Sequence, residues 1–247
     1  MLIIAHRGAV NEAIENTMDA FKKAVALGAD RIELDIQPTK DHALVVFHDE
    51  NLKRMFGNRE KVINLTREEL AAFRYPNGEP IVFLDELLEK ILPDIELNIE
   101  IKDPTEASSQ YLWKQLENCS HLDKIIVSSF HPKPLVYLAK HAPNVKLACL
   151  LDGKPTWPFV SESLPLVFMQ RCGAHIIHPD VDLVDENFVD QCRARGWVIF
   201  PYVGYKKEER RKEDLWTYLA TLGIEGLCTN FPREFKAWNE NLGKPYG

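Results

Sequence analysis

Ile32-Glu33-Leu34-Asp35-Ile36 alternates three apolar residues with two carboxylates. Read as a strand, it sets Glu33 and Asp35 on one face, one pleat apart, because successive strand side chains point to opposite faces. The segment before it, about residues 16–28, carries Ala20, Phe21, Ala24, Val25 and Leu27 at helical spacing and follows the apolar run Leu2-Ile3-Ile4-Ala5. Strand, helix and strand in that order make a parallel sheet covered on both faces. Two carboxylates inside a covered sheet need a cation or hydrogen-bond donors.

Working outward, the same alternation recurs, with strands near residues 3, 34, 98, 127, 147, 176, 199 and 227, each followed by a helical segment. Eight such pairs in about 250 residues predict an α/β chain folded as a (β/α)8 TIM barrel, one domain over residues 1–247. A doubly wound open sheet is the competing architecture, weakened because no G-x-G-x-x-G follows the first strand. Asn16 is expected to cap the first helix and Gly28 to end it. Ala43 to Phe47 forms an extra extended run ending in His48-Asp49. After this second-strand region the polar stretch of about residues 50–80 reads as a small insertion, with a short helix capped by Thr66 and Glu69. Further on, Asp152 to Pro158 reads as loop and Phe159 to Cys172 as partly helical. The run Lys206 to Lys212 reads as a solvated helix start. Trp157, Trp197, Trp216 and Trp238 read as packing residues.

Composition narrows the class. The 247 residues are 45% hydrophobic and 27% charged, as in an ordered globular chain. A net charge of −7 argues against a nucleic-acid-binding surface. No window is apolar enough to span a membrane, and the N-terminus lacks the pattern of a signal peptide. The five scattered cysteines, odd in number and without a C-x-x-C, read as free, mostly buried thiols. A cytoplasmic protein is expected, of a size that leaves its oligomeric state open.

Barrel active sites lie at the C-terminal ends of the strands. The first strand ends in His6-Arg7, the second carries Glu33 and Asp35, and the extra run ends in His48-Asp49. Leu97-Asn98-Ile99-Glu100-Ile101-Lys102 then alternates cleanly, turning Asn98, Glu100 and Lys102 towards the barrel interior. Interiors are normally filled by branched apolar residues, so three polar choices there mark a functional site. Glu33, Asp35 and Glu100 offer hard oxygen ligands, suited to one divalent cation such as Mg²⁺, Ca²⁺ or Mn²⁺. Arg7 and Lys102 suit a phosphate. His6 and His48 can exchange protons near neutral pH. Together these groups describe hydrolysis of a phosphate ester. Asp49 either orients His48 or is a turn residue, and Lys102 has ion pairing with Glu100 as its alternative role. Ser128 and Phe130 read as pocket or core, and His175 and His178 as structural or pocket-lining.

The blocks His6-Arg7-Gly8, Glu15-Asn16-Thr17, Glu33-Leu34-Asp35, His48-Asp49 and Glu100-x-Lys102 together resemble the glycerophosphodiester phosphodiesterase family. Phe83-Leu84-Asp85-Glu86-Leu87-Leu88 is similar to the helix before that family's third strand. The resemblance is dense over residues 1–102 and collinear to about residue 235. It implies a TIM barrel, a divalent metal (Mg²⁺ or Ca²⁺) and hydrolysis of a small-molecule glycerophosphodiester to sn-glycerol 3-phosphate and an alcohol. It implies His6 and His48 as the acid–base pair, Glu33, Asp35 and Glu100 as metal ligands, and Arg7 and Lys102 as phosphate contacts. The chain departs from the family at Ile14, where many members have Pro, at Pro201-Tyr202, where a Trp is common, and at Thr229-Asn230, where Thr-Asp is frequent. None of these is expected to touch the acid–base or metal groups; all are expected near the glycerol or alcohol end of a substrate. A lysophospholipid-cleaving enzyme with the same core and a catalytically silent phosphoester-binding barrel are the alternatives. The intact His6, His48, Glu33, Asp35 and Glu100 argue against the silent form.

Overall fold

A computed structural model describes residues 1–152 and 164–242 of the chain. The expected loop over 153–158, the stretch 159–163 and Trp157 lie outside the described residues. Strands β1 (Leu2–His6), β2 (Arg31–Pro38), β4 (Glu96–Ile101), β5 (Ile125–Ser129), β6 (Lys146–Leu151), β7 (Ile176–Pro179), β8 (Val198–Ile199) and β9 (Gly226–Thr229) pair in parallel, with β1 flanked by β2 and β9. The eighth junction is thinner than the rest. Pro201 has no N–H to donate, so a single parallel bridge from Tyr202 to Cys228 and the Cys228 N–H bond to the Pro201 carbonyl (2.9 Å) hold β8 to β9. That shortens the strand expected over Trp197 to Tyr202. The result is a nearly closed parallel (β/α)8 barrel.

The remaining strand, β3 (Leu44–Val46), is the expected extra run. It lies antiparallel to the end of β2, with Ile36 opposite Val46 and Pro38 opposite Leu44. Helices α1 (Met18–Leu27), α4 (Leu84–Lys90), α5 (Ala107–Leu116), α6 (Pro132–His141), α7 (Leu164–Cys172), α8 (Glu186–Arg193), α9 (Tyr205–Thr221) and α10 (Pro232–Asn241) follow the parallel strands. The short helices α2 (Lys53–Phe56) and α3 (Arg67–Ala71) belong to the insertion. In α3 Thr66 and Glu69 form the expected capping box.

Strand alternation sorts the side chains as expected. Leu97, Ile99 and Ile101 join the large core between barrel and helices, with Phe21, Leu135 and Phe235 from the helices. The opposite faces fill the barrel interior with a small plug of Ile4, Ile126, Ala148, Phe200 and Cys228. The insertion packs against β3 and its flanks in a separate cluster, in which Val45, Phe47, Leu52, Leu70, Tyr75 and Phe83 are buried together. All five cysteines are unbridged, four of them buried. Among the described residues no helix is long and apolar enough to cross a membrane.

Two local features corner the chain into the site. Asn16 is not the helix cap. Thr17 is, accepting from the Ala20 N–H, while Asn16 adopts a left-handed φ of 57° and is buried. Asn tolerates that conformation because its short side chain hydrogen-bonds locally, and here the bond is tertiary. Gly8 takes φ +84°, and an added Cβ would lie 2.7 Å from the Ala20 carbonyl carbon. Gly8→Ala is therefore expected to cost about 2–3 kcal/mol, seen by calorimetry as a fall in melting temperature of roughly 5–10 °C.

Candidate active site

The register of β2 against β4 sets Asp35 beside Glu100 and Glu33 beside Asn98 at the C-terminal end of the barrel. An oxygen of each of Glu33, Asp35 and Glu100 lies within 4.8 Å of the others, and all three residues are buried. Among the described residues, Asn98 Oδ1 and Ser128 Oγ, on the adjoining interior positions, are buried without a hydrogen-bond partner. Three buried acids this close repel one another. Burial together with Asp35 and Glu100 pushes Glu33 well above the usual carboxylate range. Glu100 is raised by burial to about 7 despite Lys102. Asp35 goes the other way: burial alone would raise it, but Lys102 and Arg7 hold it far below. A hard divalent cation fits this donor set, since it would offset the charge that makes Glu33 and Glu100 reluctant to ionise.

The cations are placed by short pairs. Lys102 Nζ sits 2.9 Å from Asp35 Oδ1 and 2.5 Å from Glu100 Oε1, so the ion pair weighed for Lys102 is formed. Arg7 Nε is 3.1 Å from Asp35 Oδ2, and its Nη1 bonds Glu15 Oε1 at 2.9 Å. The Arg7 backbone takes φ 53°, which turns its N–H onto Glu33 Oε2 at 3.1 Å. Asn16 Nδ2 donates to Asp35 Oδ2 at 2.9 Å. The block Glu15-Asn16-Thr17 is thus a bracket for Arg7, Asp35 and the start of α1.

The imidazoles flank the acids. His6 Nε2 lies 3.8 Å from Glu33 Oε2, and its Nδ1 bonds Asn230 Oδ1 at 2.7 Å. Burial and Arg7 lower His6 to about 3, so the ring is neutral. His48 is also lowered, chiefly by burial. Its Nδ1 bonds Asp49 Oδ1 at 2.7 Å, so Asp49 orients His48. Arg54 of α2 then grips Asp49 (2.7 and 3.0 Å) and Glu15 (2.7 and 2.8 Å).

All seven candidate residues therefore meet at one end of the barrel. The Asn230 bond corrects one expectation: the departure at Thr229-Asn230 does touch a proposed acid–base group. Sequence reasoning assigns Asn16 only to a helix cap and gives Glu15 and Arg54 no individual role, although the block Glu15-Asn16-Thr17 is part of the family resemblance. His178 is buried against Phe200, while His175 precedes β7. Ser128 faces the interior, and Phe130 packs edge-on to Tyr202, centroids 6.0 Å apart.

Buried acids that call for a divalent cation, set beside fixed positive charge and paired imidazoles, put the chain among the TIM-barrel enzymes that cleave phosphoric diesters. Residues 6–234 match the glycerophosphoryl diester phosphodiesterase family, and the chain belongs to it. It is 32% identical over 242 residues to the glycerophosphodiester phosphodiesterase of Caldanaerobacter subterraneus subsp. tengcongensis, covering 94% of each chain. It is 31% identical over 244 residues to that of Bacillus altitudinis, covering 93% of this chain and 94% of the relative. Among solved structures, the glycerophosphodiester phosphodiesterase of Thermotoga maritima aligns with a TM-score of 0.78 at 27% identity, covering 96% and 98% of the two chains. A phosphodiesterase of Oleispira antarctica, solved with the product sn-glycerol-3-phosphate, shares the fold with a TM-score of 0.86 at 21% identity and 97% coverage of both.

Proposed function

We propose that the chain hydrolyses glycerophosphodiesters to sn-glycerol 3-phosphate and an alcohol, with one divalent cation, Mg²⁺ or Ca²⁺ and with Mn²⁺ in the same donor class, held by Glu33, Asp35 and Glu100. The observation that carries this is the triad of buried carboxylates whose oxygens lie within 4.8 Å of one another. When bound, the cation would offset charge building on the phosphoryl oxygens. Arg7 and Lys102 contact the phosphate, each already aimed at the acids by its ion pairs. His6, neutral and with Nε2 facing the acids, takes the nucleophile's proton. His48, whose ring is steadied by the Asp49 carboxylate, gives a proton to the leaving oxygen. The nucleophile is water or the substrate's own glycerol hydroxyl. Residues 1–247 act as one domain in this reading, and the unbridged thiols suit the cytoplasm.

The test is release of sn-glycerol 3-phosphate from glycerophosphocholine and glycerophosphoethanolamine with Mg²⁺, Ca²⁺ or EDTA, beside His6→Ala. Turnover that needs metal and is lost in the variant supports the proposal. Metal binding without turnover of any diester would favour the silent barrel, and turnover of lysophospholipids alone the lipid-cleaving form. Arg54 supplies a further prediction. It bridges the residues that hold His48 and Arg7, so Arg54→Ala is expected to lower kcat roughly 10- to 100-fold. Arg54→Lys should recover little, because an ammonium cannot make the paired contacts of a guanidinium. Steady-state kinetics of both variants checks it.

A further inference from the structure

Glu208 stands within the charged run at the start of α9, yet it is fully buried. Its carboxylate accepts from Trp216 Nε1 (3.1 Å), Thr229 Oγ1, the Asn230 backbone N–H (2.8 Å) and Asn230 Nδ2 (2.8 Å). The same Nδ2 also donates to the Val203 carbonyl at 2.9 Å. Both amide hydrogens of Asn230 thus meet acceptors, the Val203 carbonyl and a Glu208 carboxylate whose two oxygens together take four donors, against the burial that raises it. Turning the amide over would set its oxygen against a carboxylate and a carbonyl, inside the protein. Oδ1 is therefore held towards His6 Nδ1, 2.7 Å away. An amide oxygen only accepts, so that ring nitrogen must carry the hydrogen. His6 Nε2 is left with its lone pair towards Glu33.

We propose that Glu208 and Asn230 are positioning residues that lock His6 in its Nδ1–H tautomer, presenting Nε2 as the basic nitrogen to the substrate. This rests on the reading of His6 as the proton acceptor. It also gives the departure at Thr229-Asn230 a physical reason: beside a buried Glu208, an ionised Asp could not donate, whereas Asn donates to Glu208 and accepts from His6.

The experiment uses the full chain with Mg²⁺ and ring-labelled histidine. Long-range nitrogen–proton NMR correlations show which nitrogen of His6 carries hydrogen, with the signal assigned by its absence in His6→Ala. Kinetics on glycerophosphocholine run in parallel. The wild type is expected to show Nδ1–H. Glu208→Gln lets the Asn230 amide turn, so a tautomer mixture is expected, with kcat down roughly 10- to 100-fold and KM within about twofold. Asn230→Ala should do the same, and it decides the matter if Glu208→Gln does not fold. Trp216→Phe removes a donor to Glu208 without touching Asn230. It should lower the melting temperature while keeping tautomer and kcat. The proposal is overturned if the Glu208 and Asn230 variants keep the pure Nδ1–H form and wild-type kcat, or if Trp216→Phe shows their losses. Should His6→Ala retain turnover, the assigned role of His6 fails, while the ring signals still report on the Glu208–Asn230 lock.

Discussion

Glu33→Gln is expected to lower turnover by about 1000-fold while leaving the metal-free protein at least as stable as the wild type. Glu33 is buried with two other carboxylates, and its charged form is opposed by burial and by both neighbours. An amide of the same shape removes that opposition and can still accept the Arg7 N–H at the Glu33 Oε2 position. The gain should reverse on adding metal. At a hundred times the dissociation constant, a cation that binds only the folded chain stabilises it by about 2.7 kcal/mol, which is roughly 5–10 °C for a domain of this size. The wild type should show that rise with Mg²⁺ or Ca²⁺, and Glu33→Gln should show little of it. Paired melts in EDTA and in metal are the measurement. A variant that loses stability in EDTA would mean that the Glu33 charge is not opposed in the metal-free protein, and one that gains as much as the wild type in metal would mean that Glu33 is not a ligand.

The second large effect separates the two imidazoles. His48→Ala should cost about 10²- to 10⁴-fold in kcat on a diester whose leaving alcohol is aliphatic, the range for losing one positioned acid or base. With p-nitrophenol as leaving group, which departs without a proton, the loss should shrink to about tenfold or less. His6→Ala should lose as much with either substrate, since a base is needed whatever departs. The assignment follows the partners: a carboxylate, Asp49, holds His48 at 2.7 Å and supports its protonated form against the burial that lowers it, whereas only an amide oxygen holds His6. The opposite pattern of rescue would exchange the two roles.

The barrel was legible because each strand kept its own period. Leu97 to Lys102 alternates so strictly that its interior face could be named, and Glu33 and Asp35 fall on the matching face of β2. Pairings made at a distance were not legible. Asn16 next to an apolar helical run looks like a cap by local rules, but its bond to Asp35 is set by the sheet. Glu208 looked solvated inside a run of charges. The helix is kinked at Arg211, so helical spacing from the buried Leu215 and Trp216 does not carry back to Glu208, and no local pattern marks it as inward-facing. The role of Arg54 depends on how α2 folds back over Glu15, which no local pattern encodes.

The insertion's separate cluster around Phe47, Leu52, Tyr75 and Phe83 bears on how the enzyme fails when heated. His48 is carried on this side of the molecule, next to β3, and is tied to α2 through Asp49 and Arg54. A cluster this small opens at lower free energy than the large core behind the barrel strands. Inactivation should therefore run ahead of melting: heated in steps, the protein would stop turning over at temperatures where its barrel still gives a native circular dichroism spectrum, and would recover on cooling. The temperature ceiling of the activity is then set by the insertion rather than by the barrel. Sequence changes that tighten the contacts of Leu70 and Tyr75 would raise that ceiling without touching a residue of the site.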